Sequence, residues 1–153
     1  MKRIWISVLL SVWMSASLFG GVEVTLKSYQ KARKNGKIVW VKAKKVIPGT
    51  VVRYVNTIKN NEQETIRNLV LKNHIPKHMR YISGSSKCKT PCTTYFSIDD
   101  GKHFALPEKL IVKDKKTGKV RKAKPSEYTT IQWVIDALEP GKKTRVSFKA
   151  KLL

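Results

Sequence analysis

The chain has 153 residues, with 32 Lys and Arg against 10 Asp and Glu, which gives a formal charge of +22. This length fits a single domain with one hydrophobic core and excludes most large barrels. The strong positive charge makes an anionic partner, nucleic acid first, the initial idea to consider.

The amino terminus argues against an intracellular nucleic-acid partner. Lys2 and Arg3 precede an apolar run at residues 4–14, and small residues follow it. This order is typical of a secretory signal peptide, and the run is too short to span a bilayer of about 30 Å. We therefore predict a signal peptide at residues 1–20, cleaved between about 17 and 21, and a periplasmic, secreted or cell-surface domain at residues 21–153 without a transmembrane anchor.

Apolar residues alternate with polar ones along the first half of the domain, which predicts strands. The first strand is expected over residues 22–27, and Asn35-Gly36 indicates a hairpin before the next. A turn is expected at Pro48-Gly49, and another at Asn60-Asn61. The strand between those two turns places three apolar side chains on one face: Val52, Tyr54 and Ile58.

The middle of the chain continues this pattern. Residues 65–76 predict a strand with Ile66 and residues 69–71 in the core, which Pro76 ends because proline has no N–H for a ladder. A short strand is expected at residues 80–83 and a loop at 84–92. Tight turns are expected at Asp100-Gly101 and at residues 116–119.

The last two strands complete an antiparallel sandwich. Trp133 lies in the first, Pro140-Gly141 turns the chain, and the second alternates to its end. In that closing strand Val146, Phe148, Ala150 and Leu152 share one parity, and Arg145, Ser147, Lys149 and Lys151 share the other. Because strand side chains point alternately to opposite faces, the first set predicts core and the second a solvated outer face that needs no ligand to explain it. Trp40 and Trp133 are both expected in the core.

The only two cysteines, Cys88 and Cys92, lie in the stretch CKTPC. An oxidising compartment favours a disulfide between them. Their spacing and context do not match a thioredoxin-type redox motif, and no further ligands stand at a spacing suited to zinc.

The turn and strand punctuation resembles a known family over residues 40–152. Its elements are a Pro-Gly turn, a strand with Tyr54, an Asn-rich turn, Tyr81 followed by Gly84 and Ser85, a strand with Trp133, and a Leu-x-Pro-Gly turn. These features resemble the bacterial conserved-repeat domain catalogued as domain of unknown function eleven. The resemblance implies an immunoglobulin-like sandwich of exported, often surface-associated proteins, and it implies no catalytic residues. The family often occurs as tandem repeats, whereas this chain carries one copy.

Other side chains that could carry chemistry are better explained by structure. His74 and His78 are separated by Pro76, so they are expected as an exposed pair and not as metal ligands. Asp99 and Asp100 lie in a turn with too few acids for calcium. No catalytic motif, metal site or cofactor is predicted.

A basic cluster follows Val112, and its members are Lys113, Lys115, Lys116, Lys119, Arg121, Lys122 and Lys124. A solvated loop is the default for such a run, but its local potential would attract a polyanion. We therefore expect a non-enzymatic interaction or structural module of the bacterial envelope. It would bind another protein or contribute to the envelope structure, and the sequence does not identify its partner. The alternative is an electrostatic binder of anionic envelope polymer or extracellular nucleic acid, with this cluster as the contact.

Overall fold

The computed structural model describes residues 21–153, and the predicted signal peptide lies outside the described residues. Short 3₁₀ turns at Pro107–Lys109 and Pro125–Glu127 are the only helical elements in this part of the chain. The strands are β1 (Val22–Lys34), β2 (Lys37–Lys42), β3 (Val51–Asn60), β4 (Ile66–His74), β5 (Met79–Tyr81), β6 (Lys87–Cys88), β7 (Cys92–Ser97), β8 (Ile111–Lys113), β9 (Val120–Lys122), β10 (Thr130–Leu138) and β11 (Lys143–Leu152).

The strands form two main antiparallel sheets that pack face to face, so the predicted all-β antiparallel sandwich is confirmed. Its immunoglobulin-like character stays a prediction. The six-stranded sheet has the order β2-β1-β3-β11-β5, and β6 also pairs with β11. The three-stranded sheet has the order β4-β10-β7, and β8 and β9 form a separate hairpin. A single cluster of buried apolar residues lies between the sheets.

β1 is longer than the sequence pattern indicated. Its alternation of apolar residues fades after Leu26, but the strand continues to Lys34 because it has two partners. β1 pairs with β3 as far as Gln30 and with β2 from Tyr29 onward. The hairpin predicted at Asn35-Gly36 is confirmed, and both residues have the positive φ that a type I′ turn requires, +49° and +73°.

The core is built around Trp133 and Phe148, whose ring centroids lie 6.1 Å apart. Tyr54 stacks on Phe148 at 5.0 Å, and the Trp133 indole N–H donates a 2.9 Å hydrogen bond to Ser86 Oγ. The predicted core faces of β3 and β11 are confirmed, since all of their apolar members are buried. Burial of this apolar surface, at about 25 cal/mol per Å², is the main force that holds the sheets together.

Four details differ from the prediction. Val70 is 50% exposed because it has the opposite parity to Leu69 and Leu71, which pack against the core. On the outer face of β11, Ser147 lies between Val55 of β3 and Lys87 of β6 and is buried. Lys149 is half-buried and lies near the Trp40 ring. Trp40, expected in the core, lies on the outer face of the six-stranded sheet.

The loop expected at residues 84–92 contains more structure than its composition indicated. β6 pairs with Val146 and Ser147 along the edge of β11 that β5 leaves free. The predicted turn at Asp100-Gly101 is confirmed, with φ of +58° and +85°. Within residues 21–153, no helix is long and apolar enough to cross a membrane.

Candidate polyanion-binding surface

The predicted basic cluster lies on the hairpin formed by β8 and β9. Its turn is organised by Asp114, whose carboxylate accepts hydrogen bonds from the backbone N–H groups of Lys116 and Thr117 at 2.7 and 2.8 Å. These bonds hold the pKa of Asp114 below its ordinary value. The lysines of the cluster are exposed, so the hairpin presents them to solvent.

Arg121, a predicted member of this cluster, already has a carboxylate partner. Its guanidinium makes a two-pronged pair with the Glu127 carboxylate at 2.8 and 2.7 Å. The Lys124 backbone N–H also donates to Glu127, at 2.7 Å. These contacts lower the pKa of Glu127 to about 2, and the pair with Arg121 has a larger effect than the backbone bond. The pair links the hairpin to the following 3₁₀ turn, so its role is structural.

The outer face of the six-stranded sheet carries a larger group of cations than the hairpin. Residues opposite each other on neighbouring strands lie on the same face of a sheet, so the register identifies its members. Arg53, for example, lies between Tyr29 and Lys149, and Lys151 pairs with Arg80. The cations at outward positions are Lys27, Lys31, Arg33, Lys42, Arg53, Lys59, Arg80, Lys87, Lys143, Arg145, Lys149 and Lys151. We call this surface the basic face.

Sheet geometry spaces these charges regularly. Neighbouring strands lie about 4.8 Å apart, and every second residue along a strand about 6.7 Å apart. Glu23 is the only carboxylate that the same register places on the face among residues 21–153. The ion pair of Arg121 with Glu127 and the hydrogen-bonded contact of Asp99 with His103, the two such contacts in that part of the chain, both lie elsewhere. Glu23 lies opposite Lys59, and the other positive charges of the basic face have no carboxylate opposite them in the register of residues 21–153.

The outer face of the three-stranded sheet differs sharply from the basic face. Its central rows combine Thr93, Val134 and Val70 with Tyr95, Gln132 and Lys72. A lysine coat that served solubility alone would be expected on both outer faces. The cations are instead concentrated on one side of the sandwich.

Trp40 lies within the basic face, close to three of its cations. The Nζ atoms of Lys31 and Lys149 each lie 5.7 Å from the centroid of the indole ring, and the Arg53 guanidinium carbon lies 6.0 Å from it. A groove of about 470 Å³ opens beside the indole. Its lining combines apolar, hydroxyl and cationic groups, from Lys31, Trp40, Thr50, Val51, Ile82 and Lys149.

Cys88 and Cys92 form a disulfide. Because Cys88 belongs to β6 and Cys92 to β7, the disulfide joins the six-stranded sheet to the three-stranded one. The connection between them is also anchored by the Lys89 N–H, which donates to the Arg145 carbonyl at 2.9 Å. The loop is thus held against β11 at the edge of the basic face.

Neither the described histidines nor the turn at Asp99 provides three ligands for a metal ion. Within residues 21–153, no group of three or more His, Cys, Asp and Glu side chains is positioned to hold a metal ion. His74 and His78 are both exposed. The Asp99 carboxylate accepts hydrogen bonds from the Ser97 hydroxyl at 2.6 Å and the His103 backbone at 2.9 Å, and these hold its pKa well below the ordinary value. Asp99 therefore organises its own turn.

No family model, no curated protein and no solved structure matches the chain. The resemblance to the conserved-repeat family therefore stays a prediction, and functional reasoning starts from the surface of the molecule itself.

Proposed function

We propose that the protein is an exported, non-enzymatic interaction module that binds a phosphate-rich envelope surface through its basic face. The observation that carries this proposal is the contrast between the two outer faces: one holds a lattice of cations without an ion pair among residues 21–153, whereas the strands of the other sheet carry only three charged residues, Arg67, Lys72 and Asp136. Export by the predicted signal peptide would bring the module to anionic lipid headgroups and to lipopolysaccharide phosphates.

The shape of the basic face favours an extended anionic layer over a single nucleic-acid strand. Proteins that bind single strands usually combine a positively charged groove with a series of aromatic side chains on which bases stack. Here the cations spread over six strands, and the outward aromatic residues of β1 and β2 are Tyr29 and Trp40. A broad array of this kind can contact many phosphate groups of a layer at once.

Two variants with equal loss of charge test the proposal. The face variant combines Lys27→Gln, Lys143→Gln, Arg145→Gln and Lys151→Gln, all at exposed positions. The hairpin variant combines Lys113→Gln, Lys115→Gln, Lys116→Gln and Lys119→Gln, which are exposed as well. A basic residue near an anionic membrane surface contributes about 1 kcal/mol, or about fivefold in affinity. We expect the face variant to lose at least about 30-fold in binding to vesicles that contain lipopolysaccharide, and the hairpin variant less than about fivefold.

The assay is vesicle sedimentation at several salt concentrations, with neutral phosphatidylcholine vesicles as the blank. Equal losses in both variants would show that net charge, and not the basic face, determines binding. A larger loss in the hairpin variant would return the contact to residues 113–124. Tighter binding to duplex DNA than to the vesicles at the same salt concentration would contradict the choice of an envelope surface.

A further inference from the structure

We propose that the groove beside Trp40 is a subsite for one phosphorylated sugar ring. This inference deepens the proposed function and rests on it for the source of the ligand, the phosphorylated sugars of the envelope. It concerns chemistry that the rest of the basic face lacks, since the groove combines clustered cations with an apolar surface in a defined volume.

Trp40 holds three positive charges close together. Aromatic rings attract cations through the negative face of their π system, with an energy of about 0.5–1 kcal/mol at exposed sites. Lys31, Arg53 and Lys149 all approach the Trp40 indole within 6.0 Å. Like charges that surround one ring repel one another, and an anion bound among them offsets this repulsion. The indole therefore preorganises a cluster that suits a phosphate monoester, which carries up to two negative charges.

The remaining lining suits the ring to which such a phosphate is attached. Val51 and Ile82 contribute apolar surface next to the indole. Thr50 Oγ1 accepts a hydrogen bond from the Ile47 N–H at 3.3 Å, which leaves its own hydroxyl hydrogen available to a ligand hydroxyl. A volume of about 470 Å³ falls within the range of small-ligand sites. Inorganic phosphate would use the cations alone, whereas a sugar phosphate would use the whole lining.

The experiment measures binding of three probes to the purified protein: glucosamine 1-phosphate, inorganic phosphate and unphosphorylated glucosamine. The readout is the shift of the Trp40 indole N–H signal in NMR spectra. We expect the sugar phosphate to bind at least tenfold more tightly than inorganic phosphate, and the free sugar to cause no saturable shift. Equal affinity for the two phosphate probes would overturn the inference, because the ring would then contribute nothing.

Variants locate the binding in the groove. Trp40→Leu keeps an apolar side chain and the net charge, and it should weaken binding of the sugar phosphate at least tenfold, as measured by calorimetry. Lys149→Gln should weaken it about as much, whereas Lys77→Gln, at an exposed position outside the basic face and the hairpin, should change it less than twofold. Circular dichroism checks that Trp40→Leu is folded, and Lys149→Gln keeps the test decisive if it is not. Unchanged binding in Lys149→Gln would contradict the inference.

Failure of this inference is distinguishable from failure of the proposed function. Because Trp40→Leu removes no charge, its binding to lipopolysaccharide vesicles should fall no more than about threefold at low salt. If vesicles bind through the basic face but the probes do not depend on Trp40, the subsite is wrong and the proposed function stands. If the probes bind at Trp40 but vesicles do not bind at all, the subsite stands and the proposed function is wrong.

Discussion

Replacement of Asn60 should destabilise the protein far more than a change in an ordinary turn, because its side chain links the two sheets. Asn60 ends β3 in the six-stranded sheet and is fully buried. Its side-chain amide donates 2.8 Å hydrogen bonds to the carbonyl of Leu138, at the end of β10 in the three-stranded sheet, and to the carbonyl of Glu64. Its Oδ1 accepts a third, also 2.8 Å long, from the Glu62 N–H.

The magnitude follows from these three bonds. Asn60→Ala removes about 1 kcal/mol for each, and an additional 1–3 kcal/mol for the buried Leu138 carbonyl that loses this donor, so we expect a loss of about 4–6 kcal/mol. Domains of this size have a free energy of unfolding of about 5–15 kcal/mol, so the variant would retain little stability. Asn61→Ala is the matched control, because this neighbouring side chain is exposed, and it should cost less than about 0.5 kcal/mol.

The measurement is urea unfolding followed by tryptophan fluorescence, in which Trp133 reports on the core. With a slope of about 2 kcal/mol per molar urea, the midpoint of Asn60→Ala should fall by about 2–3 M. Asn60→Asp should lose at least as much, because a carboxylate cannot donate to the two carbonyls. A loss below about 1 kcal/mol in Asn60→Ala, or one equal to that of Asn61→Ala, would refute the view that this side chain joins the sheets.

Two further predictions concern the Arg121 pair and the disulfide. The pKa of Glu127 is lowered to about 2, so the stability that its pair with Arg121 contributes should be present above pH 4.5 and lost as the pH falls toward 2; an NMR titration of the Glu127 carboxyl with a midpoint between 4 and 5 would contradict this. Replacing both Cys88 and Cys92 with Ala should cost only about 2 kcal/mol, because the closed loop is short, and the variant should fold with an unchanged circular dichroism spectrum; complete unfolding would show that the disulfide holds the fold together.

Period-two patterns predicted most of the strands because burial imposes alternation wherever one face of a sheet is covered. The same logic failed for β1 beyond Leu26, where the residues of both parities are mostly polar and pairing with β2 and β3 extends the strand. It also failed for Trp40. A tryptophan is more often core than surface, and nothing in the local sequence shows that Lys31, Arg53 and Lys149 come to lie around it.

The basic face could not be predicted for a related reason. Its cations are spread over most of the domain, and only the strand order and register bring them together. The cluster at residues 113–124 was visible because it is contiguous in sequence. The structure shows that Arg121 in this cluster has its own carboxylate partner. Charge that is contiguous in sequence can thus be recognised directly, whereas charge that strand pairing brings together cannot.

The register of the six-stranded sheet also gives a physical reason to expect an anionic ligand at these cations. Lys59 and Lys143 lie directly opposite each other across β3 and β11, as do Arg53 and Lys149. Like charges in such positions destabilise a sheet, and one acidic partner at either position would relieve the repulsion. Glu23 lies opposite Lys59 on β1, but the neighbours of Arg53 in the register are Tyr29 and Lys149, and neither is acidic. Glu127 is paired with Arg121, away from this face. A phosphate layer would supply the missing anions from outside, and any ligand that binds only the folded state also stabilises it. Binding to the proposed phosphate layer would relieve the repulsion that destabilises the free protein, and this relief would add to the binding affinity.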